Sequence, residues 1–351
     1  MEADTAIAVV GNRLCTGLAD VTDDLTALDS KGFWAVVLPF EGPAVCARFS
    51  KVRDARPWPG PPWIGPPARS WRNSLDRSAF EAAVGTIRDR IAEGGVYQVN
   101  LTRRLRSHLP TAGEPGTDVA ALGAALASGN PAPYSAVVRL PHQGIHVASA
   151  SPELFLARDR RRVWSKPIKG TASAHDGFLD KDYAENLMIV DLVRNDLGRV
   201  CEWGSVVVPD LFAVQEHPGL FHLVSTVEGF LREDAGWAQA IGATFPPGSV
   251  TGAPKIAALE MITALEPEPR GPYCGAIGWV DADRTVGELN VAIRTFWMER
   301  DQLNFGTGGA ITWESDPTGE WNETELKAAN LLGVASTPDP AVAHGSGRIH
   351  G

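Results

Sequence analysis

The chain is short of the features that mark export, membrane residence and metal-rich scaffolds. Only four of its 351 residues are cysteine, Cys15, Cys46, Cys201 and Cys274, and they lie far apart with no CxxC pair. This spacing offers neither a zinc ligand set nor a dense disulfide framework, so a reducing cytoplasm is the expected compartment. No run approaches the roughly 18 uninterrupted apolar residues of a membrane-spanning helix. The opening Met1-Glu2-Ala3-Asp4 is acidic where a signal peptide would be basic. A basic excess is missing too: 32 Lys plus Arg stand against 42 Asp plus Glu, a net charge of −10. Nothing draws a phosphate backbone or an anionic lipid surface, so neither nucleic acid nor membrane is an expected partner. With 44% hydrophobic and 21% charged residues, the composition excludes collagen-like, disordered and coiled-coil chains and leaves room for a sizeable core.

What is present is a succession of short apolar runs, broken by Gly and Pro from Ala6 to about Phe49. Arg56–Trp71, with six prolines and three tryptophans, suits an extended arm packed on a surface with Trp58 and Trp63 as apolar anchors, or a Pro-rich peptide ligand. Phe80, Val84, Ile87 and Ile91 recur at helical spacing within Ser74–Glu93. Strands are expected at 96–102, 134–140, 144–148, 154–156, 163–166, 276–280, 292–296 and 302–305. Helices are expected at about 180–197, from Pro254, and at about 323–332. Strands in consecutive runs favour an α+β fold with antiparallel sheets over a doubly wound one. The division expected is a small N-terminal subdomain with the Pro/Trp segment over 1–73, a catalytic domain over 74–335 and a disordered tail over 336–351.

Several segments can carry chemistry. Pro247–Lys255, PGSVTGAPK, is a glycine-rich turn feeding a helix. It lacks the Walker A spacing, since three residues separate Gly248 from Gly252 and Pro254 precedes Lys255. Its amides and the helix dipole can hold a carboxylate, or it is an ordinary loop. Phe305–Ala310 ends a strand with three glycines, permitting positive φ and a second amide cradle, or a plain bulge. Arg294, a charge in an apolar strand, needs a protein or a substrate carboxylate if it faces inward. Glu185 and Glu323 lie on two acidic helical segments. If they share a cleft they can hold Mg²⁺ with an anionic substrate, and Glu325 is a further candidate, while Lys327 shares a face with Glu323. Lys169, beside Gly170, can be a point charge for phosphate, a solvated cation or a desolvated nucleophile.

These motifs, in this order, resemble the chorismate-utilising enzymes: YQVNLTRRL (97–105), SASPELFL (149–156), KPIKGT (166–171), KDYAENLMIVDLVRNDLGRVC (181–201), HLVSTVEG (222–229), FPPGSVTGAPK (245–255), ELNVAIRT (288–295) and GTGGAITWESDP (306–317) with EWNETELKA (320–328). The resemblance covers about 74–333. It implies two large antiparallel β-sheets packed together with flanking helices, as in anthranilate synthase component I, and Mg²⁺-dependent binding of chorismate. It further implies Mg²⁺ on Glu185 and Glu323 with Lys327 beside them. Substrate would be held by Arg294, Thr251, Gly252, Thr171, Gly308, Gly309 and Gln98, with His222 near the enolpyruvyl side.

The discriminating position is Lys169. Anthranilate synthases resemble this chain elsewhere but read Pro-Ile-Ala-Gly-Thr, whereas the aminodeoxychorismate synthase branch carries the lysine. A neutral amine there can attack the ring carbon ortho to the carboxylate and expel the para hydroxyl as water, with the proton for which the resemblance implies Glu153; ammonia then adds at the para carbon and displaces the lysine. The amine must be neutral near pH 7, which calls for desolvation or a neighbouring cation. Gln98 stands where water-adding relatives are similar to one another in having a lysine base. The joint presence of Glu153, Lys169, Glu185, Glu323 and Lys327 disfavours a non-catalytic subunit, and ortho amination is the nearest enzymatic alternative. The chain shows no nucleophile-elbow cysteine with His and Glu partners, so ammonia is expected from a separate glutamine amidotransferase subunit or from solution. Related chains usually carry a longer N-terminal region with a tryptophan site.

Overall fold

The computed structural model describes residues 5–109, 113–172, 174–175, 177–217 and 220–337. Most of the tail expected from residue 336, from 338 on, lies outside them. All paired strands run antiparallel, and their edges join into one ribbon. It begins at Gln98–His108, beside Gln302–Ile311 and then Thr295–Glu299. It continues through Ile145–Ser151, Tyr134–Leu140, Ile7–Val10, Arg13–Thr22 and Val45–Asp54. Next come Phe33–Leu38, Ala276–Asp281, Val286–Val291 and Leu154–Asp159. Arg162–Lys166, Leu220–Phe230 and Val207–His217 complete it.

The fold is thus α+β, as expected, with one refinement: the two sheets are joined edge to edge and the ribbon folds over on itself. One core cluster draws Val138 and Val147 from one half and Val36, Leu156 and Val280 from the other. Asn290 Nδ2 donates across to the Tyr134 carbonyl at 2.7 Å, and Ser151 Oγ to the Val291 carbonyl at 2.6 Å. The segment 1–73 contributes Ile7–Val10, Arg13–Thr22, Phe33–Leu38 and Val45–Asp54 to this common sheet.

Six α-helices flank the sheet among the described residues: α1 Arg77–Ala92, α2 Val119–Gly129, α3 Asp180–Gly198, α4 Trp237–Thr244, α5 Lys255–Leu265 and α6 Pro317–Ala335. Helix α6 starts six residues before its expected position. Pro317 occupies the first turn and Asp316 caps the Gly319 N–H at 2.7 Å, which the apolar spacing alone does not signal. Pro254 caps α5 rather than entering it. The Pro/Trp arm is anchored on the end of α6 through Trp63 Nε1 to the Ala335 carbonyl and Trp71 Nε1 to Ser336 Oγ, both 2.9 Å; the indole of Trp58 bonds within the arm, to Pro61.

Two polar anchors set the helices that face the site. In α3 the buried Asn186 donates to the Leu223 carbonyl at 3.1 Å and accepts from Ser225 Oγ at 2.6 Å, fixing the rotation of the helix one residue from Glu185. In α6 Glu325 pairs with the fully buried Arg103, which also bonds Thr324 Oγ1 at 3.0 Å and stacks on Trp321. Replacing Asn186 with Ala deprives the Leu223 carbonyl and the Ser225 hydroxyl proton of these buried bonds and is expected to lower stability by about 1–3 kcal/mol. Urea unfolding checks this; a loss too small to resolve would deny Asn186 the role of anchor.

Candidate active site

The buried end of strand Ile145–Ser151 and the strand after it hold Glu153. Ser151 Oγ accepts from the Glu153 N–H at 3.2 Å, and the Glu153 carbonyl accepts from the Val291 N–H at 3.0 Å. The side chain is 4% exposed. Burial pushes its carboxyl up to about 7, against the opposing pull of the Ser249 hydroxyl, Lys169 and the Ile168 N–H. Lys169 lies on the short strand Ile168–Ala172, half-buried, and its Nζ donates to the Ser249 carbonyl at 3.3 Å. The carboxyls that feel its charge are Glu153, Glu185 and Glu323.

Helices α3 and α6 bring their acidic faces together. Burial raises Glu185, and the charge of Glu323 adds to it, while Lys169 and Lys181 oppose. Burial likewise raises Glu320, against a 2.6 Å bond from Ser315 Oγ; Glu323 and Glu185 push it further up. Glu323 lies nearer solvent. Burial pushes it up as well, but Lys327, bonded at 2.6 Å, with Lys181 and Lys169, brings it below the ordinary carboxyl range. Glu320 is the site residue that sequence reasoning missed. It stands one helical turn before Glu323, on the same face, but in a turn the expected helix did not include. Glu325 is a correction in the other direction: its carboxylate goes to Arg103, away from this cluster.

The donor set fits Mg²⁺. All donors are carboxylate oxygens, and mutual repulsion with burial already raises two of the three. Among the described residues no three His, Cys, Asp or Glu side chains close round one point. An open, two-sided set suits an ion that keeps waters and takes further oxygens from an anionic ligand.

Arg294 is not inside a strand, contrary to expectation. It lies in the break between Val286–Val291 and Thr295–Glu299 at φ +52°, a left-handed conformation uncommon outside glycine. Its carbonyl accepts from the Ala150 N–H at 3.0 Å, three residues from Glu153, so both stand at one end of the sheet. Burial lowers its pKa and no protein charge opposes this. Its guanidinium makes no ion pair among the described residues.

The two glycine-rich segments work differently from each other. Gly252 has φ +147°, and a Cβ there would meet the Gln98 carbonyl at 2.2 Å, so only glycine lets this turn dock on strand Gln98–His108. Buried Thr251 accepts from the Asn100 N–H at 2.7 Å. Residues 306, 308 and 309, expected as a positive-φ cradle, lie instead in the regular strand Gln302–Ile311, and none has positive φ. The Gly308 carbonyl accepts from Lys327 Nζ at 3.2 Å, while the opposite residue Thr102 gives its N–H to Glu266. In an antiparallel ladder a residue's N–H and C=O leave on one side, so the Gly308 amide faces Lys327 and the Gly309 amide belongs to the ladder. Gly309 contributes room: a Cβ there would come within 3.0 Å of Glu320.

Gln98 is fully buried, and neither its amide oxygen nor its nitrogen has a partner. Such a group awaits a ligand or is costly to bury. Buried His222 lies on Leu220–Phe230 opposite Thr171, whose strand is described but whose side chain is not.

The chain as a whole is similar to known proteins. A family model of chorismate binding enzymes matches residues 62–333, and the chain belongs to that family. It is 42% identical over 280 residues to an aminodeoxychorismate synthase of Streptomyces griseus, covering 76% of this chain and 37% of that one. It is 37% identical over 274 residues to aminodeoxychorismate synthase component 1 of Escherichia coli, covering 75% and 58%. An anthranilate synthase component 1 of Haloarcula marismortui is 40% identical over 275 residues, covering 75% and 54%. The chain therefore spans well under two thirds of the length of these relatives. In fold it is similar to an isochorismate synthase from Bacillus anthracis, with TM-score 0.77 and 22% identity over 95% of this chain and 97% of that one. Anthranilate synthase component I from Streptococcus pneumoniae gives TM-score 0.74 and 24% identity over 93% and 90%.

Proposed function

We propose that this chain aminates chorismate at the para carbon, as an aminodeoxychorismate synthase component I that forms 4-amino-4-deoxychorismate. The observation that carries the reading is Lys169, a lysine in Pro-Ile-Lys-Gly-Thr whose amine sits within reach of a buried carboxyl tuned to about 7. Arg294, the Gly308 amide and the turn at Thr251-Gly252 hold the substrate carboxylates. Glu185 and Glu323, with Glu320 beside them, hold Mg²⁺, which when bound supplies charge neutralisation for a dianionic ligand. Lys169 forms a C–N bond at the ring carbon ortho to the carboxylate. Glu153 gives its proton to the departing para hydroxyl, which leaves as water. Ammonia then adds at the para carbon, the C–N bond to Lys169 breaks, and the amine is regenerated. Buried Gln98 is neutral and leaves no base at that point to activate water. His222 positions the enolpyruvyl side. A glutamine amidotransferase subunit is the proposed ammonia source. The four cysteines, all free and buried, suit a reducing cytoplasm, and no helix among the described residues is long and apolar enough to cross a membrane.

The 40% identity to an anthranilate synthase component keeps ortho amination as the second reading. Incubation with chorismate, an ammonium salt and Mg²⁺ separates the two. The expected product retains the enolpyruvyl group and carries nitrogen at the para position; ortho-aminobenzoate with release of pyruvate would defeat the proposal. A chelator is expected to abolish turnover, and added Mg²⁺ to restore it. Turnover that survives complete removal of divalent ions would deny the metal role of Glu185 and Glu323.

A further inference from the structure

Arg270 is a buried cation that no step above uses. It is 2% exposed and meets both oxygens of Glu266, at 2.8 and 2.6 Å. Two further donors go to backbone carbonyls, Val250 and Asn100, each at 2.7 Å. Its guanidinium lies over the Phe40 ring at 4.5 Å. A planar fork held along one edge by both oxygens of a carboxylate has little freedom, so the two carbonyls it grips are fixed relative to each other. One belongs to the turn Gly248–Val250 and the other to strand Gln98–His108.

The residue beside Val250 is Ser249, 7% exposed. Its carbonyl accepts from Lys169 Nζ at 3.3 Å, and it lines one small cavity together with Glu153, whose carboxyl its hydroxyl draws downward against burial. One residue thus faces both groups to which the proposed chemistry assigns bond making and proton transfer. We propose that Ser249 is a positioning residue that sets the Lys169 amine and the Glu153 carboxyl relative to each other, and that Arg270 holds it there through the neighbouring Val250 carbonyl. The inference rests on the roles proposed above for Lys169 and Glu153.

The physical case is one of freedom removed. A lysine side chain has four rotatable bonds and needs a fixed acceptor to stay in one place, and a reacting atom misplaced by ~1 Å loses on the order of 100-fold in rate. The charged groups facing Glu153 are Lys169 from its strand and Asp196 of α3, which lines the same small cavity and is itself paired with Lys255 at 2.6 Å. The Ser249 hydroxyl is the neutral counterweight among them. Its loss leaves burial less opposed, and the Glu153 titration moves to higher pH.

The test uses the full chain in three forms: Ser249→Ala, Arg270→Lys, and the double change Arg270→Met with Glu266→Met, which removes the buried pair together and leaves no orphan charge. Without substrate, the Glu153 carboxyl is titrated by infrared difference spectroscopy against Glu153→Gln, and amide exchange is followed over 248–253. Ser249→Ala is expected to move the titration upward with the turn's exchange unchanged. The Arg270 variants are expected to speed exchange in the turn, move the titration upward and lower kcat about 100-fold with KM for chorismate little changed. An unmoved Glu153 titration in Ser249→Ala would overturn the proposal, as would wild-type exchange in a folded Arg270 variant. Titration and exchange are read with no substrate present, so failure to aminate chorismate would count against the proposed function and leave these two measurements to decide on Ser249.

Discussion

A Lys169→Ala protein is expected to carry no chorismate-derived adduct and to lose amination by roughly three orders of magnitude or more, since deletion of a covalent nucleophile costs far more than a lost hydrogen bond. Wild-type protein exposed to chorismate and Mg²⁺ without ammonia is expected to gain the mass of chorismate less one water, located on the peptide containing Lys169. Intact and peptide mass spectrometry read both. The outcome that would sink the covalent route is equal labelling of the two proteins, or full amination by the variant with no adduct in either. The neighbouring groups sharpen the expectation. The Lys169 amine rests on the Ser249 carbonyl, and the carboxyls of Glu153, Glu185 and Glu323 feel its charge.

The second large effect falls on Glu153, and its sign differs between activity and stability. Glu153→Gln keeps the shape and removes the proton, so loss of the hydroxyl-expelling step is expected to slow turnover about 10²–10⁴-fold. Stability moves the other way above neutrality. Burial raises the native carboxyl from 4.5 to about 7. Between those values the unfolded chain has released a proton that the native chain still holds, so stability declines as pH rises through this window and stays lower above it. The full difference is about 3 kcal/mol. Glutamine does not titrate, and the variant is expected to recover part of this at pH 8 to 9 while gaining nothing at pH 4. Urea unfolding at the two pH values checks it; a variant less stable than wild type at high pH would mean that the carboxyl's hydrogen bonds outweigh its burial.

Much of the fold was legible because period and punctuation are local. Tyr134–Leu140 was placed to the residue, and α1 and α3 within a few residues, from apolar spacing and flanking breakers. What escaped was set by tertiary context. Helix α2, with Val119, Ala120, Ala121 and Leu122 all buried, is apolar nearly all round and shows no stripe to read. The long hairpin Val207–His217 with Leu220–Phe230 contains register shifts that break the alternation a strand would show. At the site, residue types pointed to carboxyls and a lysine, but not to their geometry. Glu320 was hidden by a misplaced helix start. Glu325 has the residue type of a ligand, but Arg103, 222 residues away in sequence, claims it. The three glycines of 306–309 read as a flexible cradle because a sequence cannot distinguish glycine needed for φ from glycine needed for room. Arg294 carried a similar ambiguity, and its unusual backbone is visible only in three dimensions.

The order in which the ribbon is stitched has a consequence for how the protein comes into being. Gln98–His108 meets Gln302–Ile311 across some two hundred residues, and Ile7–Val10 meets Tyr134–Leu140 across well over a hundred. Pairings so remote must wait for most of the polypeptide to leave the ribosome, and chains dominated by them reach the native state slowly. Because Gly308, Glu320 and Glu323 lie far downstream of Glu153 and Lys169 in sequence, a chain cut between them keeps one wall of the pocket and lacks the other. Affinity for a ligand that spans both walls should therefore appear only once Gln302–Ile311 and helix α6 have docked.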